Sequence, residues 1–208
     1  MILRLRGKSL KKKILSSILA CAIFASPLCA SQKVRDLFDQ LSDILQLLPA
    51  FSATYALAKE DYEGLKELAI GFGATMGVTY TFKLSLNALG KKYPTEVAFA
   101  QRPNGGAFHG FPSGHTASAF SATGFMQKRY GWKWGLPTFL LATLTGVSRV
   151  VAQKHTPFQV VSGAMIGFGI SYLVSSKYID PSRERIALNR TNDIRDRSVY
   201  SISYTRSF

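Results

Sequence analysis

Acidic side chains are scarce in this chain: 12 aspartates and glutamates stand against 26 lysines and arginines. No cluster of them reads as a metal site, and no metal or other cofactor is expected. Cysteine is scarcer still. Cys21 and Cys29 both fall in the first apolar run, so no disulfide framework is indicated. No internal repeat appears. Charge is missing altogether from Ile14 to Gln32, Ile44 to Ala58, Leu68 to Phe82, Trp134 to Ser148 and His155 to Ser176. Several of these gaps fall short of the roughly 20 residues needed to cross a bilayer upright, but snorkelling lysines or inward-facing polar residues can lengthen a crossing. Their number favours a membrane bundle over a soluble helical core.

The basic residues are abundant, giving a net charge of +14, and their placement matters more than their number. Arg4, Arg6, Lys8, Lys11, Lys12 and Lys13 crowd the first 13 residues; others lie in the tail from Lys177 onward, and Lys128, Arg129 and Lys133 fill one short loop. These are positions that the positive-inside rule assigns to the cytoplasm. A nucleic-acid binder would gather charge on one folded face beside aromatics, so no nucleic-acid partner is expected, and no obligate protein partner is evident. Residues 1–30 read as a signal peptide or a retained first membrane helix; either places residue 31 outside the cytoplasm. A membrane domain over 31–176 and a basic C-terminal tail over 177–208 complete the division.

Along the membrane domain, Val34, Leu37, Phe38, Leu41, Ile44, Leu45 and Leu48 recur at helical spacing and predict an amphipathic helix over 33–48. A span from about Ile44 to Ala58, a charged turn from Lys59 to Lys66, and a helix from about Leu68 to Ala88 capped near Gly90 follow. Residues 91–112 read as a polar loop. Further helices are predicted from Ser113 or Gly114 to Met126, from Trp134 to Val151, and from Thr156 as N-cap, with Pro157 first, to about Ser176. With the N-terminus inside, the 91–112 loop, the Ser113 helix start and the His155 turn emerge together on the opposite face. The tail segment from Val199 to Phe208 alternates like a strand, but one such segment closes no barrel, so a disordered or peripheral tail is expected.

Chemistry concentrates in those converging stretches. Cleaving a phosphate ester requires groups that neutralise the non-bridging oxygens, an in-line nucleophile and a proton for the leaving alcohol. Arg102 and Arg149 suit the first task through their forked donors. Ser113 and Gly114 open a helix whose free amides and dipole favour an anion. Of the three histidines, His115 and His155 can supply a nucleophile and an acid, while His109 reads as a loop residue.

Arg102-Pro103, then Pro112-Ser113-Gly114-His115, then Ser148-Arg149 with His155 after five more residues, resembles the type 2 phosphatidic acid phosphatase (PAP2) superfamily over roughly residues 68–176. The resemblance implies an all-α, polytopic membrane bundle of about six helices, haloperoxidase-like, with its site at the outer membrane face. It implies that His155 is the nucleophile, His115 the acid, and Arg102, Arg149 and a lysine the holders of the phosphoryl oxygens, with Ser113 and Gly114 as further donors. Two positions depart from the motif. Seven residues before Arg102 stands Thr95 rather than lysine, which leaves Lys83 as substitute, with Lys91 and Lys92 as alternatives. Four after His155 stands Gln159 rather than aspartate, whose amide oxygen can orient the imidazole without supplying charge.

The long loop and the relaxed aspartate position resemble the bacterial lipid A phosphatases within that superfamily. The expectation is a metal-independent lipid phosphate phosphohydrolase of the inner membrane, multi-pass, facing the periplasm, working through a phosphohistidine on lipid A or another phospholipid. Phosphatidylglycerophosphate, undecaprenyl pyrophosphate and phosphatidate are competing substrates. Phosphotransfer between lipids is a competing reaction, and an inactive lipid-phosphate-binding relative a competing class.

Overall fold

The computed structural model describes residues 31–179, 184–192 and 198–206, so the expected signal peptide or first helix at 1–30 lies outside the described residues. The chain divides into two compact units, Met1–Ser176 and Lys177–Phe208. The first is helical: α1 (Gln32–Leu45), α2 (Leu48–Ala58), α3 (Tyr62–Lys92), a 3-10 turn (Ala98–Ala100), α4 (Gly114–Tyr130), α5 (Trp132–Val151) and α6 (Pro157–Val174). α4 packs against α3, α5 and α6, while α1 lies along α5.

Large apolar side chains face outward and small ones face inward. Phe139, Leu140, Val161, Met165 and Leu173 are exposed, whereas Thr75, Thr79, Ala117, Ser121, Thr145 and Ser171 are buried. Along α6, Gly163, Gly167 and Ser171 recur every fourth residue. A Cβ at Gly163 would strike the Ser113 carbonyl, and one at Gly167 the Ala117 carbonyl, so α6 and α4 meet backbone to backbone. Close approach through small residues is how helices associate where hydrocarbon removes the hydrophobic drive. By length and composition, α5 and α6 are each able to cross a membrane.

Several sequence expectations are corrected. The span drawn over Ile44–Ala58 is interrupted at residues 46–47, and its second part, α2, has 11 residues, about 16 Å of helix. The charged segment Lys59–Lys66 is mostly helix, because Asp61 caps α3 by accepting a hydrogen bond from Gly64 N at 2.9 Å. α3 runs through Gly90, where the missing side chain makes room for the Phe108 ring rather than ending the helix. Gly131, with φ 79°, is the single residue between α4 and α5, so Lys128 and Arg129 belong to the last turn of α4.

The tail is corrected as well. Of the two expectations, a disordered or a peripheral tail, the first is overturned: β1 (Glu184–Asn192) and β2 (Ser198–Arg206) pair antiparallel, with Leu188 opposite Ile202 and Arg190 opposite Tyr200. Cross-strand pairing on one face explains the alternation seen in the sequence.

Candidate active site

α5 and α6 deliver the nucleophile candidate. Past the end of α5, the N–H groups of Lys154 and His155 both donate to the Arg149 carbonyl, at 3.0 and 3.2 Å, folding the chain back over the helix end. α6 then begins with a capping box: Thr156 Oγ1 accepts from Gln159 N, and Gln159 Oε1 accepts from Thr156 N.

Gln159, fully buried, is held at both ends. Its Nε2 donates to the carbonyls of Phe99 at 2.9 Å and Gln101 at 2.8 Å, which turns Oε1 toward His155 Nδ1 at 3.1 Å. Nδ1 also lies 2.9 Å from the Gly110 carbonyl. Both neighbours accept only, so Nδ1 carries the proton and Nε2 keeps its lone pair. Burial, reinforced by the positive charges of Lys83 and Arg149, pushes the imidazole down to about 3. His155 is a neutral base with an available Nε2.

The cations gather around it. Lys83 reaches from α3 to the His109 carbonyl at 2.7 Å and passes the start of α4, its Cε 3.6 Å from where a Cβ on Gly114 would stand. Lys91 and Lys92 are exposed, with Lys92 lying over the Tyr93 ring. Among the three lysines the structure brings Lys83 to the site. The Nε atoms of Arg102 and Arg149 are buried without a hydrogen-bond partner among the described residues, two donors left over for an anion.

The first helical bond of α4 runs from Ala117 N to Ser113 O at 2.9 Å, so the amides of Gly114, His115 and Thr116 have no intrahelical acceptor. Ser113 already has partners within the fold. Its N–H is spent on the Gln159 carbonyl at 2.9 Å and its hydroxyl pairs with that of Thr116 at 3.0 Å.

Sequence reasoning missed α1 entirely as part of the site. Asp39 Oδ1 accepts from Arg149 Nη1 at 2.6 Å, Ser42 Oγ accepts from the same nitrogen at 3.0 Å, and Asp43 Oδ1 lies 2.7 Å from His115 Nε2. Lys154 Nζ closes on Asp39 Oδ2 at 3.1 Å. Burial opposes it, but Lys154 and Arg149 together hold the Asp39 carboxyl below its ordinary value. Positions 39, 42 and 43 share one helix face, and three aspartates within residues 36–43 were the available signal in so acid-poor a chain.

An apolar cavity of about 500 Å³ opens beside this site, lined by α2 and α3 residues including Ala50, Ala53, Ala69, Phe72 and Met76. Gln46 and Ser118 also line it, each one helical turn beyond Asp43 and His115, joined by a 2.6 Å bond from Ser118 Oγ to the Gln46 carbonyl.

The sequence pattern of the PAP2 superfamily matches residues 67–181. The lipid A 4'-phosphatase of Helicobacter pylori is 39% identical over 197 residues, covering 93% of this chain and 98% of that protein. A lipid A 1-phosphatase of the same species is 30% identical over 135 residues, covering 64% and 65%. The crystal structure of Aquifex aeolicus LpxE matches with a TM-score of 0.55 at 20% identity, over 70% of this chain and 87% of that one, a likeness of fold.

Proposed function

The chain belongs to the PAP2 superfamily, and from that premise we propose that it is a metal-independent membrane phosphatase acting on lipid A through a phosphohistidine at His155. The observation that carries this reading is the locked tautomer: Gly110 and Gln159 hold the Nδ1 proton, leaving Nε2 to attack among three cations.

Nε2 bonds to phosphorus as the bond to the lipid oxygen breaks, and the leaving oxygen takes a proton from His115. Lys83, Arg102, Arg149 and the α4 amides take up the charge on the phosphoryl oxygens. Water then attacks the phosphohistidine, giving its proton to His115, and phosphate departs. The full-length likeness to a 4'-phosphatase favours the 4'-phosphate as the one removed. The apolar cavity beginning one turn from His115 supports a substrate with acyl chains. The outward-facing apolar side chains and the basic N-terminus support a multi-pass protein of the inner membrane with the site on the periplasmic face.

Mass spectra of lipid A from cells with and without the chain test the substrate: loss of one phosphate, placed by fragmentation on the 4' sugar, is expected. His155→Ala is expected to abolish that loss. An unchanged spectrum with the parent chain rejects the lipid A reading, and full activity of His155→Ala rejects the nucleophile.

A further inference from the structure

The two histidines are treated in opposite ways. His155 meets neutral oxygens at Nδ1, whereas His115 meets a carboxylate, Asp43 Oδ1, at 2.7 Å from Nε2. We propose that Asp43 is the positioning residue of the proton donor: it orients the His115 ring and favours the imidazolium that protonates the leaving lipid alkoxide. The inference rests on the phosphatase reading above and assigns α1 a part in the reaction.

The geometry supports this. A carboxylate bonded to a ring nitrogen favours the charged imidazole, and the bond is charge-assisted. With Nε2–H given to Asp43, Nδ1–H is the proton left for substrate. As Nε2 of His155 takes phosphorus, the pair of the breaking P–O bond goes to the lipid oxygen, which receives the Nδ1 proton. His115, now neutral, retains Nε2–H and accepts the proton of the attacking water at Nδ1 in the second step.

α1 is also placed for this role by a separate bond. Arg149 grips Asp39 and Ser42 of α1 through one nitrogen, while Asp43 stands 3.9 Å from that nitrogen, nearer to His115. Burial and the Arg149 charge push the His115 imidazole below its ordinary value, and the Asp43 bond is the first contact that acts against them, with Asp39 behind it. Asp43 is more than half exposed, and exposed ion pairs contribute little to stability, so its contact is a poor candidate for a folding device.

The test is leaving-group dependence. Full-length protein in detergent is assayed on lipid A, whose alkoxide needs a proton, and on para-nitrophenyl phosphate, whose phenolate leaves without one. kcat/KM is compared because it ends at the phosphohistidine. Asp43→Asn is expected to lower kcat/KM for lipid A on the order of 10–100-fold, a fraction of what general acid catalysis contributes. The aryl ester should change by about twofold or less, and Asp43→Glu should recover part of the lipid A loss. Equal loss on both substrates, or no loss on either, overturns the proposal. His155→Ala separates the levels: loss of both activities leaves the phosphatase reading standing whatever Asp43 does, and retention of both removes it together with this inference.

Discussion

At one end of α4, Arg129 has all of its nitrogens engaged: Nε and Nη2 grip Asp61, and Nη1 donates to Glu67 at 2.9 Å and Ser176 Oγ at 2.9 Å. At the other end, the Nε atoms of Arg149, a buried residue, and Arg102, a half-buried one, are enclosed and unpartnered among the described residues. Both ends are electrically busy, yet the first is saturated and the second is not. Asp61 shows the same completeness. It caps α3, accepts from Tyr130 at 2.6 Å, and is held below its ordinary carboxyl range by Arg129, Tyr130 and the Gly64 amide against the opposing effect of burial. A saturated arginine ties the α2–α3 turn to the ends of α4 and α6. An unsaturated one keeps donors for something that arrives.

The contrast predicts opposite consequences for two arginine truncations. Arg129→Ala leaves Asp61 and Glu67 with uncompensated charge and is expected to cost about 3–5 kcal/mol of stability, with the activity of the folded fraction intact. Arg149→Ala leaves Asp39 its bond to Lys154, so the fold should hold, while phosphate release falls by roughly 10²–10³-fold. Thermal unfolding and single-turnover phosphate release, measured on both variants, check the crossing. Matching losses on both axes would dissolve the distinction between the two ends.

The same contrast shows what could be read from the sequence. His155, His115, Arg102 and Arg149 were legible because they sit in short motifs whose spacing the loops and caps preserve, and Thr156-Pro157 announced the start of α6. Arg129 was not. It lies beside Lys128 and one residue before Tyr130, and its neighbours along the chain gave no sign of Asp61, 68 residues away. α1 was legible as an amphipathic helix through its apolar spacing, but the partner of its polar face depends on packing that no local pattern encodes. The outward turn of the apolar side chains was visible only as charge-free gaps. Its counterpart, the glycine and serine seam of α6, carries no chemistry and has no local signature apart from its fourfold spacing.

Gln159 sharpens the comparison inside the site itself. An aspartate there is one methylene shorter and has no N–H to give, so Gln159→Asp strands the carbonyls of Phe99 and Gln101. Since typical hydrogen bonds contribute about 0.5–1.5 kcal/mol each, a loss of roughly 1–3 kcal/mol is expected in thermal unfolding. Activity should survive, because a carboxylate also accepts from Nδ1. The glutamine is then a brace that pins the 98–101 turn to α6 while orienting the ring. A variant as stable as the parent would deny that second duty.

The smallest effect concerns protons rather than side chains. His155 has a folded pKa of about 3, below the ordinary 6.5, so the unfolded chain takes up a proton first as the pH falls. Stability is therefore insensitive to this group above 6.5 and declines between 6.5 and about 3, by at most about 1.4 kcal/mol per pH unit. Asp39, held below its ordinary value of 3.8, contributes stability that is lost only at lower pH, and His109 and His115, also pushed below 6.5 by burial, contribute alike to parent and variant, so between 5 and 6.5 the difference between the two proteins reports the His155 ring. Unfolding of the parent and of His155→Gln across that interval should diverge, the parent falling more steeply toward acid. Parallel curves would mean that the ring takes up its proton as readily in the folded protein as in the unfolded chain, and so loses the Nε2 lone pair that attacks phosphorus already within that interval.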